Sequence, residues 1–179
     1  MTNYICICCL FNRMQLEKWV HIFPEGQVNQ TGRLLTPLRW GVGKMIAVSS
    51  AQKREGTKSP LVIPFYHTGM AQVAKVDEVK IGFPKFGQSI RALFGNPISF
   101  DDLINDFVEQ RRSRLGYRNL QVSELFLNDT IEERALYSII TKRIEDALLA
   151  LENTIEWPEG SFRAEFPPQR VKGTRILLS

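Results

Sequence analysis

The chain has 179 residues, of which 44% are hydrophobic and 23% are charged. This composition is that of an ordinary globular domain, so collagen, low-complexity and wholly disordered classes are excluded. The formal net charge of +4 is a mild basic excess, which is compatible with an anionic lipid or a nucleic acid as partner and demands neither.

Residues 1–18 predict an irregular lead-in that neither crosses a membrane nor directs secretion. Their apolar run is much shorter than the roughly 20 residues of a spanning helix, and no basic residue precedes it. The three cysteines are crowded together without a second Cys or His pair, so we expect no disulfide framework and no metal site. They form either a small apolar patch in a reducing compartment or an S-acylated membrane anchor: Cys6, Cys8 and Cys9.

Two short apolar runs, residues 19–23 and 61–66, predict buried strands, because β-branched and aromatic residues bounded by Pro and Gly favour that structure. Residues 39–52 between them predict a helix, whose glycines allow close packing. Strand, helix and strand in this order predict a βαβ unit with parallel strands. Residues 89–94 predict a third strand.

Two helices are expected in the C-terminal part. The first begins after a Ser99 cap, with Asp102 as its capping-box partner, and runs to about Val108. The second is long and is capped by Asp129. Its predicted apolar stripe consists of Ile131, Ala135, Ile139, Leu148, Leu151 and Ile155.

The main chemical signal is the sequence Phe23-Pro24-Glu25-Gly26, directly after the first predicted strand. Ligands of open α/β sheets bind beyond the carboxyl ends of strands, and a carboxylate placed there accepts hydrogen bonds from a substrate hydroxyl. The glycine lets the main chain turn and approach a ligand closely. The same residues are also a good turn sequence in any fold.

This sequence has a wider context that spans residues 19–107. The blocks are Val20-His21-Ile22-Phe23-Pro24-Glu25-Gly26-Gln27-Val28-Asn29, Arg39-Trp40-Gly41-Val42-Gly43-Lys44, Ile63-Pro64-Phe65-Tyr66-His67-Thr68-Gly69-Met70, Phe86-Gly87-Gln88 and Gly95-Asn96-Pro97. In this order they resemble the tafazzin family of the glycerophospholipid acyltransferase superfamily. The resemblance implies acyl transfer between phospholipids and lysophospholipids, and remodelling of cardiolipin at mitochondrial membranes. It also implies peripheral membrane attachment and no cofactor.

The resemblance assigns a substrate-binding set: Phe23, Pro24, Glu25, Gly26, Asn29, Ile63 and Pro64. Many relatives continue the first block with Thr-Arg, whose arginine is thought to hold phosphate, but this chain continues with Gln27-Val28-Asn29. Phosphate contact must then come from elsewhere. The candidates are Arg33, Arg39 and Lys44. An equally good interpretation is that these three cations are solvent-facing side chains of a loop and a helix, with no role in phosphate binding.

The superfamily's catalytic base is the histidine of a His-x-x-x-x-Asp motif, in which the aspartate orients the ring. Neither histidine of this chain completes the motif. The position five residues after the histidine, where the motif requires aspartate, is occupied by Gly26 after His21 and by Gln72 after His67. We interpret His21 as a core histidine and His67 as a loop or packing histidine. No catalytic residue is assigned. We expect the N-terminal part of the family fold to be missing and the chain to be inactive alone.

The predicted fold is therefore α/β, a partial glycerophospholipid-acyltransferase-like fold with a βαβ core and C-terminal helices over residues 19–156, followed by a loose tail over residues 157–179. The arginines of residues 111–118 are either a solvated surface or an interfacial patch, where each would contribute about 1 kcal/mol with anionic headgroups. The alternative function is a non-catalytic lipid- or partner-binding module. A nucleic-acid partner is disfavoured, because Tyr117 alone interleaves with these arginines.

Overall fold

The computed structural model describes residues 10, 13–14, 16, 18–27, 29–53, 58–73, 85–115, 126 and 129–157. The cysteines and residues 158–179 of the expected tail lie outside these ranges. The described chain mixes helix with strand, in agreement with the predicted α/β class. Its elements are α1 (Gly41–Ala51), β1 (Phe65–Thr68), α2 (Met70–Val73), β2 (Arg91–Phe94), α3 (Asp101–Leu115) and α4 (Ile131–Thr154).

The longest element, α4, begins with a capping box. The Thr130 side chain accepts from the Glu133 N–H, and the Glu133 carboxylate accepts from the Thr130 N–H, so two backbone donors are satisfied. The predicted cap was Asp129, which is wrong by one position: that residue has a positive φ of 48°. Against α1 and α3, α4 buries Leu136, Tyr137, Ile140, Ile144 and Leu148.

The predicted apolar stripe of α4 is wrong in its N-terminal half. Ala135 is exposed, and the side chains of Ile131 and Ile139 are 88% and 53% exposed, whereas Leu148 and Ile155 are buried as expected. The buried face of α4 also carries polar residues. It therefore does not coincide with the face that the spacing of apolar residues predicts. These buried polar residues are Glu133, Thr141, Glu145 and Glu152.

The helix prediction for residues 39–52 is confirmed by α1. This helix packs closely on α4. Gly43 lies at the contact, where an added Cβ atom would meet the Tyr137 carbonyl oxygen and the Thr141 hydroxyl. The helix α3 starts near the predicted site and runs beyond Val108. Its Asp101 N–H donates to Ser99 Oγ at 3.3 Å. The predicted capping-box residue Asp102 instead pairs with Arg143 of α4.

β1 and β2 form a two-stranded antiparallel sheet in which Phe65 lies opposite Phe94. The strand prediction for residues 89–94 is confirmed by β2. The parallel βαβ core is wrong in the described ranges, because β1 pairs with β2 and residues 19–23 form no strand. Apolar runs become strands when a neighbouring layer covers them, but Trp19 and Phe23 are 87% and 62% exposed.

Candidate functional site

The residues predicted around Glu25 lie on a loop, described over residues 23–27 and 29–39, that runs beside α4. Glu25 Oε2 accepts a hydrogen bond from Asn29 Nδ2 at 2.8 Å and another from the Leu35 N–H at 3.2 Å. The same Asn29 amide donates to the Arg33 carbonyl oxygen. Two predicted substrate-binding residues, Glu25 and Asn29, are therefore in direct contact, and the Glu25 carboxylate shapes the loop from within.

Two buried glutamates of α4 hold the same loop from the other side. Glu152 Oε2 accepts from the Leu34 N–H at 3.1 Å, and Glu145 Oε2 accepts from the Leu38 N–H at 2.8 Å. Hydrogen bonds to ionised acceptors are about twice as strong as neutral ones, so these contacts anchor an otherwise irregular segment. We call this arrangement the carboxylate clamp; its members are Glu25, Glu145 and Glu152.

Sequence reasoning missed the two helical members of the carboxylate clamp. Glutamates on a long amphipathic helix are ordinarily interpreted as solvent-facing. A signal was nevertheless present, because Glu145 and Glu152 share a helical face with the apolar Leu148 through the spacing i, i+3 and i+7. Their exposed fractions are 6% and 3%, which places them among the buried residues of α4.

The turn after Pro24 brings Arg39 beside the predicted binding block. Gly26 has a φ of 67°, a conformation that favours glycine, and its N–H donates to the Phe23 carbonyl at 3.1 Å. The Pro24 carbonyl accepts from the Arg39 N–H at 3.0 Å. A Cβ atom at Gly26 would lie 2.6 Å from Arg39 Cδ and Nε, so the arginine side chain crosses the turn.

The structure separates the three candidate phosphate contacts. Arg33 Nε lies 3.4 Å from Glu152 Oε1, and Lys44 Nζ lies 2.6 Å from Asp129 Oδ1. Both cations are therefore engaged by carboxylates. Arg39 is exposed, and no carboxylate among the described residues forms an ion pair with it. It is the candidate whose guanidinium is available to an anion.

The second predicted block lies close to the first. Pro64 is buried, its carbonyl accepts from the Gly95 N–H at 2.8 Å, and Ile63 is half-buried. The blocks meet through rings, since the Phe23 ring centroid lies 6.5 Å from that of His67. The structure thus brings rings of both blocks into contact. We call the group of contacting rings the aromatic cluster; its members are His21, Phe23, Phe65, His67 and Phe94.

Both histidines of the chain belong to the aromatic cluster. The interpretation of His21 as a core histidine is wrong, because the residue is exposed and its ring packs 5.0 Å from that of Phe65. His67 lies within β1 rather than in a loop. Its Nδ1 is buried without a hydrogen-bond partner among the described residues. Burial, followed by the nearby charge of His21, lowers the pKa of His67 below its usual value.

We expect the free energy of unfolding to decrease as the pH falls below about 6.5, the usual histidine pKa. The unfolded chain protonates His67 more readily than the folded chain, so stability is full above the unfolded pKa and is lost on acidification. Urea unfolding at pH 7 and pH 5 measures this difference. His67→Phe should reduce it, whereas the exposed control His21→Gln should retain most of it. An unchanged pH difference in His67→Phe would contradict the assignment.

The predicted arginine patch is partly neutralised by α4. Arg111 Nη1 lies 2.8 Å from Glu133 Oε1, and Arg114 Nη1 lies 3.2 Å from Glu132 Oε1. The Arg118 position lies outside the described residues. Two arginines of the stretch therefore join α3 to α4, which does not support an interfacial patch built on them.

The sequence is similar to several curated proteins. It is 29% identical over 135 residues to Taffazin of Dictyostelium discoideum, a match that covers 75% of this chain and 43% of that protein. It is 31% identical over 125 residues to Tafazzin of Drosophila melanogaster, covering 68% of this chain and 30% of that protein. The chain belongs to the tafazzin family. The predicted resemblance is thereby confirmed.

A further relative supports the class of reaction. The N-acylphosphatidylethanolamine synthase of Arabidopsis thaliana is 29% identical over 93 residues, covering 50% of this tafazzin-family chain and 30% of that protein. Together these relatives place the chain in a family of phospholipid acyltransferases. The chain spans less than half the length of each of these relatives. No family model matches it, and no solved structure does so either.

The helices of the described ranges include none with the length and apolar character needed to cross a bilayer. The longest of them, α4, carries charged residues along its outward face.

Proposed function

We propose that this chain supplies the glycerophospholipid-binding site of a tafazzin-type transacylase, which exchanges acyl groups between phospholipids and lysophospholipids. Cardiolipin at a mitochondrial membrane is the proposed substrate pool. The observation that carries the proposal is the turn in which the Arg39 side chain crosses Gly26, next to Glu25 and Phe23. Membership of the tafazzin family supports the class of reaction, and this turn supports the place of binding.

The proposed binding mode assigns the phosphodiester of the lipid to Arg39. Its planar guanidinium can donate two parallel hydrogen bonds to phosphate oxygens. No carboxylate among the described residues forms an ion pair that would occupy these donors. The Glu25 carboxylate and Asn29 keep the turn in shape. Contact with the glycerol and the first methylenes of the acyl chains falls to the apolar side chains that are not buried: Phe23, Pro24 and Ile63. Pro64 is buried and supports the second block through the bond from Gly95 N–H to its carbonyl.

The aromatic cluster gives this region an apolar surface that suits peripheral attachment to a membrane. Phe23 and Phe94 are 62% and 67% exposed, and Trp19, four residues before Phe23, is 87% exposed. Tryptophan is enriched at the level of lipid headgroups, and peripheral proteins also place phenylalanine in the boundary between headgroups and acyl chains. Arg39 beside them would meet headgroup phosphates at the same depth.

Acyl transfer needs a base that removes the proton of the acceptor hydroxyl as its oxygen attacks the acyl carbonyl, while the departing lysophospholipid oxygen regains a proton. The sequence contains no His-x-x-x-x-Asp motif to supply that base. We therefore propose that this chain, made alone, binds glycerophospholipid without transferring acyl groups. The same absence favours the second candidate function, a lipid-binding module that performs no chemistry.

Arg39→Ala is expected to weaken binding to cardiolipin-containing vesicles by about tenfold, the effect of losing one charge-assisted contact of about 1.4 kcal/mol. Arg39→Lys should fall between this variant and the wild type, because lysine keeps the charge without the planar fork. Vesicle flotation measures both. The matched control is Arg134→Ala, an exposed arginine at the start of α4, which should bind as the wild type does.

Two results would count against the proposal. Equal weakening by Arg39→Ala and Arg134→Ala would mean that vesicles attract the basic chain diffusely, an attraction that added salt would abolish. An assay with lysophospholipid acceptor and phospholipid donor tests the missing base. Turnover by the wild-type chain above that of Glu25→Ala would contradict the proposed lack of transfer.

A further inference from the structure

We propose that Glu145 and Glu152 are positioning residues for the glycerophospholipid site: from α4 they set the course of residues 33–38 and thereby the place of Arg39. The inference rests on the proposed function for its readout in lipid binding. Neither glutamate lies in the blocks that carry the family resemblance, and both come from the last helix of the described chain.

Each glutamate divides its two oxygens between the loop backbone and a cation. Glu145 Oε2 accepts from the Leu38 N–H at 2.8 Å, and its Oε1 accepts from Lys142 Nζ at 2.8 Å. Glu152 Oε2 accepts from the Leu34 N–H at 3.1 Å, and its Oε1 lies 3.4 Å from Arg33 Nε. The cations compensate the buried charges, and the second oxygens are directed to the loop.

The loop depends on these acceptors because it has no ladder or helix of its own between residues 33 and 38. Leu34, Leu35 and Leu38 are buried with exposed fractions of 4%, 0% and 7%, so their backbone N–H groups need partners within the protein. All three donate to carboxylates of the carboxylate clamp. Removing an acceptor leaves a buried donor unsatisfied, which is costly.

The two contacts bear on Arg39 in different ways. Glu145 fixes Leu38, the residue directly before Arg39, whose own N–H is bound to the Pro24 carbonyl. The backbone at Arg39 is thus held from both sides. Glu152 engages the Arg33 guanidinium, which leaves Arg39 as the cation presented at the turn.

The helix itself does not rely on these carboxylates. Its start is secured by the capping box of Thr130 and Glu133, and its inner face packs through apolar side chains. Loss of Glu145 or Glu152 should therefore loosen the loop before it changes the helix. This difference separates a positioning role from a purely structural one.

The test uses Glu145→Ala and Glu152→Ala in the full chain. We expect hydrogen exchange of the amides in residues 34–38 to accelerate at least about tenfold, the loss of one charged hydrogen bond. Vesicle binding should weaken by about the same factor, with helix content by far-UV circular dichroism unchanged. Glu145→Gln and Glu152→Gln keep a carbonyl acceptor and should restore binding to within about twofold of the wild type.

The matched control is an exposed neighbour of Glu152 on the same helix, Asn153→Ala, which should leave exchange and binding unchanged. If the alanine variants lose cooperative folding, Glu145→Asp and Glu152→Asp take their place. The aspartates keep the charge but withdraw the oxygens by one methylene, so faster exchange of residues 34–38 is again expected.

Unchanged exchange in residues 34–38 would overturn the inference, whatever the lipid binding shows. Faster exchange with wild-type lipid binding, in a chain where Arg39→Ala does weaken binding, would also overturn it. If the clamp variants weaken binding and Arg39→Ala does not, the phosphate contact of the proposed function is wrong and the positioning role of the two glutamates stands.

Discussion

Gly43→Ala is expected to reduce the free energy of unfolding by about 1–3 kcal/mol, the usual cost of inserting a methyl group into a packed core. The added Cβ atom would meet the carbonyl oxygen of Tyr137, a backbone atom of α4, and would lie 2.7 Å from Thr141 Oγ1. That hydroxyl is itself bonded to the Tyr137 carbonyl at 2.7 Å, so neither neighbour yields easily. Urea unfolding measures the loss.

Gly41→Ala is the matched control, because it lies in the same helix and nothing is found within 4 Å of its Cβ position. Alanine in a helix is favoured over glycine by about 0.5–1 kcal/mol, so this variant should be at least as stable as the wild type. Equal changes in the two variants would show that helix propensity governs the effect, and that the close approach of α1 to α4 does not.

The close approach of α1 to α4 also bears on the site. Arg39, whose side chain crosses the turn at Gly26, lies two residues before Gly41, the first residue of α1. A helix displaced from α4 by an added methyl group would carry Arg39 with it. Gly43→Ala should therefore weaken vesicle binding even at temperatures where the chain remains folded.

Several elements follow from local sequence patterns. The helix α1 and the strand β2 are short apolar segments bounded by turn residues, so periodicity and punctuation suffice to predict them. The family resemblance likewise rests on contiguous blocks of residues such as 20–29, which are readable without a structure. These signals are local, and the structure and the comparisons with relatives confirm them.

What the sequence does not predict depends on contacts between distant segments. The run at residues 19–23 looks buried because of its composition, but burial requires a covering layer, and Phe23 is exposed in the described structure. In the same way, Glu145 and Glu152 look solvated until the loop that donates hydrogen bonds to them is placed beside α4. Arg33 and Arg39 look equivalent in the sequence, and only the structure shows that Arg33 forms an ion pair with Glu152 while Arg39 forms none with the described carboxylates.

The arginines of α3 show the same dependence and lead to a second large effect. Arg111→Met is expected to cost about 3–5 kcal/mol of the free energy of unfolding, because it leaves the carboxylate of Glu133 buried without its cation. The Glu133 side chain is 0% exposed, and Arg111 Nη1 binds its Oε1 at 2.8 Å. The same Arg111 nitrogen also donates to Thr130 Oγ1 at 3.3 Å, within the capping box of α4. Urea unfolding again provides the measurement.

Arg114→Met is the matched control on the same helix. Its pair with Glu132 has side chains that are 69% and 58% exposed, and exposed pairs contribute about 1 kcal/mol or less. Adding Glu133→Gln to Arg111→Met should recover part of the lost stability, since the glutamine carries no charge that needs compensation. If instead both arginine variants are nearly as stable as the wild type and both bind anionic vesicles more weakly, these arginines form a headgroup patch and do not lock α3 to α4.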